Sequence, residues 1–387
     1  MRSGRLGKIR PGHPWIYKRQ LLKPDTFLKP GSTISVIDSN GKFIGMGYYN
    51  PRSEIAVRIL SFDDEKVDSN FFKNRIRPAL EKRKKLSDVT NAYRAVFSEA
   101  DGLPGLIIDI YDKTAVFQVL TLGMESFKEV IVAGINEILG PEYVYEKSTS
   151  PFRRIEGLKD AAGWWGKPGS SQIEIFEGRM KFLVDIENGH KTGFYLDQRR
   201  SRMGLEGLSK DRRVLDLFCY TGAFSVSSAV FGASSVIGVD VKEAWLELAR
   251  RNASLNDVFR KTEFIKADAF SYLSNMRDKA ERFDLIIIDP PSFLKTRESI
   301  KSASKGYRQL NTSAMKLLND GGILTTFSCS HNMPNEVFSG ILKEAANETN
   351  KKITILKRCH QAEDHPIVKG IPETEYLKGY FIKVYSK

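Results

Sequence analysis

Two short runs in the second half of the chain carry residue types suited to covalent chemistry on a planar base. Asp289-Pro290-Pro291-Ser292-Phe293 sets a carboxyl group beside two prolines and an aromatic ring, and Phe327-Ser328-Cys329-Ser330 sets a thiol among hydroxyls. Carbon 5 of a pyrimidine is too weak a nucleophile to attack a methyl sulfonium unaided. A thiolate adding at carbon 6 makes carbon 5 enamine-like, which is nucleophilic catalysis. The charge that develops at N3 then needs a proton donor or hydrogen bond, a part Asp289 can play when burial against substrate and Phe293 raises its pKa. The prolines forbid helix and fix the backbone around the acid, and Pro290 and Phe293 stand where a flat substrate would be held. Cys329 and Asp289 therefore read as a catalytic pair. A Cys ending an apolar strand is commonly a small core residue, so methylation of a base nitrogen or another RNA position, with Cys329 merely packed, stays open as the alternative.

Three earlier acids fall at the ends of apolar runs: Asp216 in RVLDLF, Asp240 in SSVIGVD and Asp268 in TEFIKAD. These runs, with FDLIIID and GGILTTF, alternate with helical stretches such as EAWLELARRNASLN. That rhythm implies a parallel sheet covered on both faces, with ligands bound at the carboxyl ends of its strands. A single Gly222 does not make the G-x-G-x-x-G of a dinucleotide site. Asp240 is placed to accept hydrogen bonds from ribose hydroxyls and Asp268 stands near an adenine amino group. Acids after three successive strands, without a phosphate loop, fit S-adenosylmethionine better than a dinucleotide. Singly, each acid is also a reasonable helix N-cap. Cys219 lies in the same turn as Gly222, Cys359 reads as structural, His331 reads as a surface residue or, two positions after Cys329, as a tuner of its thiolate, and no Cys/His spacing marks a metal site.

The elements ahead of this region have another character. In 387 residues, 60 Lys and Arg against 47 Asp and Glu leave a formal charge of +13, a statement about partners rather than fold. The excess clusters at Arg2, Arg5, Lys8, Arg10, Lys18, Arg19, Lys23 and Lys29, and again at Lys73, Arg75, Arg77, Lys82, Arg83, Lys84 and Lys85. Trp15 and Tyr17 lie within the first cluster and offer faces for base stacking, so the pattern suits an RNA-binding surface. STISVID, FIGMGYY and IAVRIL, separated by turn dipeptides, predict a small β unit. A middle region follows as β-β-α-β through GLIIDIY, AVFQVL, MESFKEVIVAGINEIL and EYVYEK, and residues 151–172 read as a loop or linker. No apolar run reaches the ~20 residues of a membrane span, the N-terminus lacks the apolar core of a secretory signal, and three cysteines cannot build a disulfide framework. A cytoplasmic location is expected.

The run Gly189-His-Lys-Thr-Gly-Phe-Tyr-Leu-Asp-Gln-Arg199, with DLFCYTGAF, DPPSF, FSCS, Ala362-Glu-Asp-His-Pro366, Tyr376-Leu-Lys-Gly379 and Gly12-His-Pro-Trp15, resembles the ribosomal RNA large subunit methyltransferase I family over essentially the whole chain. The resemblance implies an N-terminal PUA-like β barrel (1–70), a small central α+β domain (71–175) and a C-terminal α/β class I methyltransferase domain of Rossmann-like type (176–387). It implies methylation of C5 of a cytosine in 23S ribosomal RNA, with S-adenosylmethionine as donor and S-adenosylhomocysteine as product. Cys329 would be the nucleophile and Asp289 its partner. Asp216, Phe218 and Gly222 would flank the methionine part of the donor, Asp240 its ribose and Asp268 its adenine. Phe194, Tyr195, Asp197, Gln198 and Arg199 would close over the methionine end, and Asp364 and His365 would approach the target pocket. No metal is expected. Many RNA cytosine methyltransferases carry a second Cys beside the prolines. Pro291-Ser292 stands there instead, so a different base must take the carbon-5 proton. A catalytically idle RNA-binding assembly factor, naked RNA against an assembling particle, and a homodimer remain open on the sequence.

Overall fold

The computed structural model describes residues 12–23, 27–293 and 300–387; Arg2, Arg5, Lys8, Arg10 and the acid Asp25 lie outside them. The chain divides into two compact units, and neither is continuous. The first comprises Met1–Phe176, Val184–Leu196 and Glu363–Thr374; the second comprises Glu177–Leu183, Asp197–Ala362 and Glu375–Lys387.

The first unit opens with β1 (Trp15–Tyr17), β2 (Thr33–Ile37), β3 (Phe43–Tyr49) and β4 (Ile55–Ser61), an antiparallel sheet in the order β1-β4-β3-β2. Helix α1 (Ser69–Glu81) follows; its N-cap Asp68 accepts hydrogen bonds from the backbone N–H groups of Asn70 and Phe71, satisfying donors that the first turn leaves open. A second sheet runs β5 (Ala92–Phe97), β6 (Leu106–Tyr111), β7 (Thr114–Val119), β8 (Tyr143–Ser148) and β9 (Ala161–Trp164) in sequence order. Its only parallel pair is β7 with β8, as the crossover through α2 (Lys128–Ile138) requires. One core joins Tyr48 and Leu60 of the first sheet to Phe71, Phe72 and Ile76 of α1 and Ile108, Phe117 and Val144 of the second.

Three expectations need correction here. The central region holds five strands rather than three, because β9 is short and both it and β5 carry polar or small residues (AAGW, AYRAVF) that blur their alternation. The segment 151–172 is not a plain linker: it contains a helical turn at Phe152–Ile155 and strand β9. The helix across MESFKEVIVAGINEIL is broken into Leu122–Glu125 and Lys128–Ile138.

The second basic cluster is partly structural. The Arg83 guanidinium is buried, donates to both carboxylate oxygens of Asp101 at 2.9 and 2.7 Å, and also bonds the Asp364 carbonyl at 3.1 Å. Lys82, Lys84 and Lys85 are exposed, as are Lys18, Arg19, Lys23 and Lys29 of the first cluster. Trp15 is half-buried, with its indole N–H donating to Glu99 at 2.9 Å.

After the two-stranded sheet of β10 (Gln172–Glu177) and β11 (Met180–Asp185), the second unit alternates strand and helix. The strands are β12 (Arg213–Leu217), β13 (Ser235–Asp240), β14 (Thr262–Lys266), β15 (Phe283–Ile288), β16 (Leu318–Ser328), β17 (Lys351–Cys359) and β18 (Lys378–Ser386). The helices are α3 (Ala223–Val230), α4 (Glu243–Leu255), α5 (Ala269–Asp278), α6 (Ile300–Leu317) and α7 (Asn335–Glu348). The sheet order is β14-β13-β12-β15-β16-β18-β17. Five strands are parallel, and β18 joins antiparallel to both β16 and β17. Strand order reverses between β12 and β15, so their carboxyl ends form the crevice where such sheets bind ligands.

Tyr48 joins the two sheets of the first unit by a hydroxyl bonded to the Pro104 carbonyl and Thr121 Oγ1, each at 2.8 Å, and its ring lies against Gly123, where an added Cβ would come within 1.9 Å of the ring. A Gly123→Ala variant is therefore expected to lose ~1–3 kcal/mol of stability through overpacking, read as a lowered unfolding midpoint in calorimetry.

Candidate active site

Asp216, on β12, is fully buried at the middle of the second unit's sheet. Its Oδ2 accepts from Ser225 Oγ at 2.6 Å, while Oδ1 is buried with no hydrogen-bond partner among the described residues. The turn that follows is tightly wound: Phe218, Tyr220 and Gly222 all hold positive φ, at 62°, 50° and 75°. Two non-glycine residues in that region store strain that the surroundings must maintain, a feature concentrated at functional sites. Gly222 is required twice over, since a Cβ there would also meet the Ala249 methyl at 2.8 Å and the Phe264 ring at 3.0 Å.

Asp240, at the end of β13, holds this turn in place. Its two oxygens accept from the backbone N–H of Tyr220 at 3.0 Å and of Lys242 at 3.2 Å. Asp268 serves as N-cap of α5, accepting from the Ser271 N–H at 3.0 Å, and is exposed. The capping role that any such acid can take is thus realised at Asp268. Cys219 is buried in the turn, and burial, followed by Asp216 and Asp240, pushes its thiol well above the ordinary range.

Strand β15 runs beside β12, pairing Leu217 with Ile288, so Asp289 follows directly beyond the end of Asp216's strand. Burial pushes the Asp216 carboxyl up to about 7, helped by the charges of Asp289 and Asp240 against the opposing hydrogen bond from Ser225. Strand β16 lies on the other side of β15, pairing Ile288 with Thr326, and delivers Cys329 to the same edge. The Cys329 thiol is half-buried, with Sγ 3.7 Å from the Pro290 carbonyl oxygen. Phe293 is half-buried, its ring centroid 4.9 Å from that of Tyr307. Asp216, Phe218, Gly222, Asp240, Asp289, Pro290, Phe293 and Cys329 therefore share the carboxyl edge of one sheet.

Sequence reasoning missed two residues here. Tyr307, on α6, accepts from Ser328 Oγ at 3.0 Å; burial pushes its hydroxyl up, with Cys329 and Asp289 among the charges acting on it. Its apolar helical position gave no signal. Lys378, on β18, is buried and pairs across the sheet with Ser328. A lysine placed between Leu377 and Gly379 and the apolar run YFIKV was a signal, though an unspecific one.

The remaining expected site residues are distributed between the units. Asp197, Gln198 and Arg199 are buried in the second unit. Asp197 Oδ2 accepts from the Tyr376 hydroxyl at 2.6 Å, and its carbonyl accepts from the Ala362 N–H at 2.9 Å. Arg199 lies 3.8 Å from the Glu177 carboxylate, which Arg202 grips through two bonds of 2.7 and 2.6 Å. Phe194 and Tyr195 belong to the first unit, where the Phe194 N–H donates to the Tyr111 hydroxyl at 3.2 Å and the Tyr195 hydroxyl lies 3.0 Å from His190 Nδ1. Asp364 and His365 also belong to the first unit and are buried; Asp364 accepts from the Arg94 N–H at 2.9 Å and its other oxygen lies 3.1 Å from His365 Nδ1. Cys359 is half-buried, and burial raises its thiol to about 11; His331 is exposed. Among the described residues no group of His, Cys, Asp or Glu could hold a metal ion, and no helix is long and apolar enough to cross a membrane.

An acid-lined strand edge with no phosphate cradle and a buried carboxylate oxygen lacking a donor suits a ligand that brings positive charge and hydroxyls. Residues 155–377 match the S-adenosylmethionine-dependent methyltransferase family model, and residues 1–62 match a PUA-like domain. The second unit is accordingly a class I methyltransferase domain, and the protein is a methyltransferase dependent on that donor. Curated relatives named ribosomal RNA large subunit methyltransferase I are 39% identical in Alteromonas mediterranea, covering 97% of this chain and 96% of the relative, and 37% identical in Escherichia coli, covering 99% and 98%. A solved structure of a protein complexed with SAH shares the fold at a TM-score of 0.87 and 24% identity, covering 99% of this chain and 98% of that one. The chain belongs to the ribosomal RNA large subunit methyltransferase I family.

Asp216 sets a stability signature for the ligand-free protein. Its folded pKa, about 7, lies above the ordinary 3.8, so the folded state binds the extra proton between these values and stability falls as pH rises through that window, by up to ~4 kcal/mol. Asp216→Asn, which can still accept from Ser225, should flatten this slope and be more stable than the parent at pH 8 in denaturant titrations.

Proposed function

We propose that this protein methylates C5 of a cytosine in 23S ribosomal RNA through a covalent adduct between Cys329 and carbon 6. The carrying observation is the meeting of a half-buried thiol with the Asp-Pro-Pro turn at one strand edge, Sγ being 3.7 Å from the Pro290 carbonyl. A methyltransferase acting on a ring nitrogen, which has its own lone pair, needs no thiol there.

When bound, S-adenosylmethionine supplies an electrophilic methyl on a sulfonium. Asp216, Phe218 and Gly222 would hold its methionine part, Asp240 its ribose and Asp268 its adenine edge, with Asp197, Gln198 and Arg199 and the neighbouring Phe194 and Tyr195 toward the methionine end. The fit rests on charge: Asp216, Asp289 and Asp240 repel one another, and a cationic ligand relieves that repulsion. Cys329 as thiolate forms a bond to carbon 6, pushing the ring electrons toward N3 and carbon 5. Asp289 holds N3 by a hydrogen bond, and a proton retained by the carboxylate cluster compensates the charge that develops there. Carbon 5 takes the methyl, loses its proton to a base, and the C–S bond to Cys329 breaks to restore the aromatic ring. Pro290 and Phe293 would bound the base on its flat sides. Exposed Lys18, Arg19, Lys23 and Lys29 on the PUA-like domain, with Lys82, Lys84 and Lys85, would neutralise RNA phosphates.

Incubation with unmodified 23S RNA and labelled donor, followed by nucleoside analysis, should yield 5-methylcytidine. Cys329→Ser should reduce turnover by at least ~10³-fold while leaving donor affinity intact, and RNA carrying 5-fluorocytidine should trap an adduct that disappears in this variant. Full activity of Cys329→Ser, or a methylated ring nitrogen, would overturn the reading. Asp216→Asn should weaken donor binding in calorimetry by roughly tenfold.

A further inference from the structure

We propose that Lys378 is the positioning residue that keeps Cys329 in its thiolate form. This rests on the reading of Cys329 as nucleophile and adds what the nucleophile needs to act near neutral pH. Lys378 pairs directly with Ser328 across the antiparallel β16–β18 ladder. From there its ammonium donates to the carbonyl of Ser330, the residue that follows Cys329, at 3.2 Å and to the Tyr376 carbonyl at 3.3 Å. The cation is thus clasped between the residue after the thiol and the residue two before itself.

Lys378 is 7% exposed as a residue, and burying a lysine that far is costly unless a negative partner repays it. Both of its hydrogen bonds just named go to neutral carbonyls, which orient the charge without neutralising it. The charges that favour its cationic form are Glu375 and Cys329, working against burial, which lowers its pKa. Interaction between two titrating groups is reciprocal: whatever the thiolate contributes to the ammonium, the ammonium contributes to the thiolate.

The need for such a cation follows from the other neighbours. Cys329 stands at a strand edge lined with acids, with Asp289 just past the end of the adjacent strand and the Tyr307 hydroxyl bonded to Ser328, whose titration couples to both Cys329 and Asp289. His331 lies two residues on and is exposed. Carboxylates raise a thiol's pKa, as happens at Cys219, where burial leads and Asp216 and Asp240 add to it. A buried lysine anchored on the carbonyl that follows the thiol acts in the opposite sense, the arrangement by which reactive cysteines are made.

The test is the pH profile of Cys329 alkylation by iodoacetamide in the full-length, ligand-free protein, resolved by peptide mass spectrometry with Cys219 and Cys359 as internal references. In the parent, the Cys329 midpoint should lie below the ordinary thiol value of about 8.5. Lys378→Met should slow its alkylation at pH 7 by about tenfold or more and move the midpoint upward, whereas Lys378→Arg should restore most of the difference. A lysine acting only as a structural strut would not move this profile selectively. A parent midpoint at or above 8.5 overturns the proposal without any variant, so misfolding of Lys378→Met cannot shelter it; an unchanged profile in a folded Lys378→Met, judged by donor binding, overturns it as well. Full methyl transfer by Cys329→Ser with a Lys378-dependent alkylation profile would refute the nucleophile while supporting the pairing. An inactive Cys329→Ser with a Lys378-independent profile would do the reverse.

Discussion

The second unit is organised around an electrostatic conflict: three carboxylates at the ends of neighbouring parallel strands, one of them fully buried and short of a hydrogen-bond donor. One backbone amide of the turn after β12 and one just beyond β13 quiet Asp240, and a single hydroxyl partly quiets Asp216. What is left over is a standing attraction for cationic ligands and a cost to the empty protein. Such sites trade folding stability for binding, because the repulsion relieved by a ligand appears as affinity. The strained turn and the close packing around Gly222 serve the same end, holding the acids where relaxation would otherwise spread them.

Against this background, a thiol and a lysine on β16 and β18 form a local island of opposite logic. The antiparallel return of β18 against β16 is what permits it. A sixth parallel strand would arrive by a crossover, with its carboxyl end at this edge. β18 instead brings its first residue, Lys378, alongside the last residue of β16. The topology of the sheet and the chemistry of its edge are therefore one problem.

Much of this was legible beforehand. The alternation of apolar runs with amphipathic helices gave the parallel strands, and the punctuation at each strand end gave Asp216, Asp240, Asp268, Asp289 and Cys329, because period and turn chemistry are local properties of sequence. The edge strands were less visible: β5 is mixed in polarity, β9 is short as well, and β17 presents mostly exposed residues although it is a strand in the main sheet. Long-range partnerships left no trace at all. Nothing near Arg83 announces that the Asp364 carbonyl completes its bonding 281 positions away, and nothing near His13 announces Glu373, 2.9 Å distant. Arg83 accordingly passed for one more surface charge in a basic cluster. Burial and coupling, which set the character of Asp216, Tyr307 and Lys378, emerge only once distant segments meet.

The discontinuity of the units bears on how the protein is made. A chain emerging from the ribosome cannot finish its first unit until residues 363–374 have been translated, since these supply Asp364 to Arg83 and Arg94 and Glu373 to His13. The usual order, in which an N-terminal domain folds while the rest is still being synthesised, is closed to it. Nascent chains must carry a partly assembled first unit with incompletely satisfied arginines, exposed to chaperones and proteases, until that segment is read. Late truncations should consequently be cleared as a whole rather than leaving a stable amino-terminal fragment.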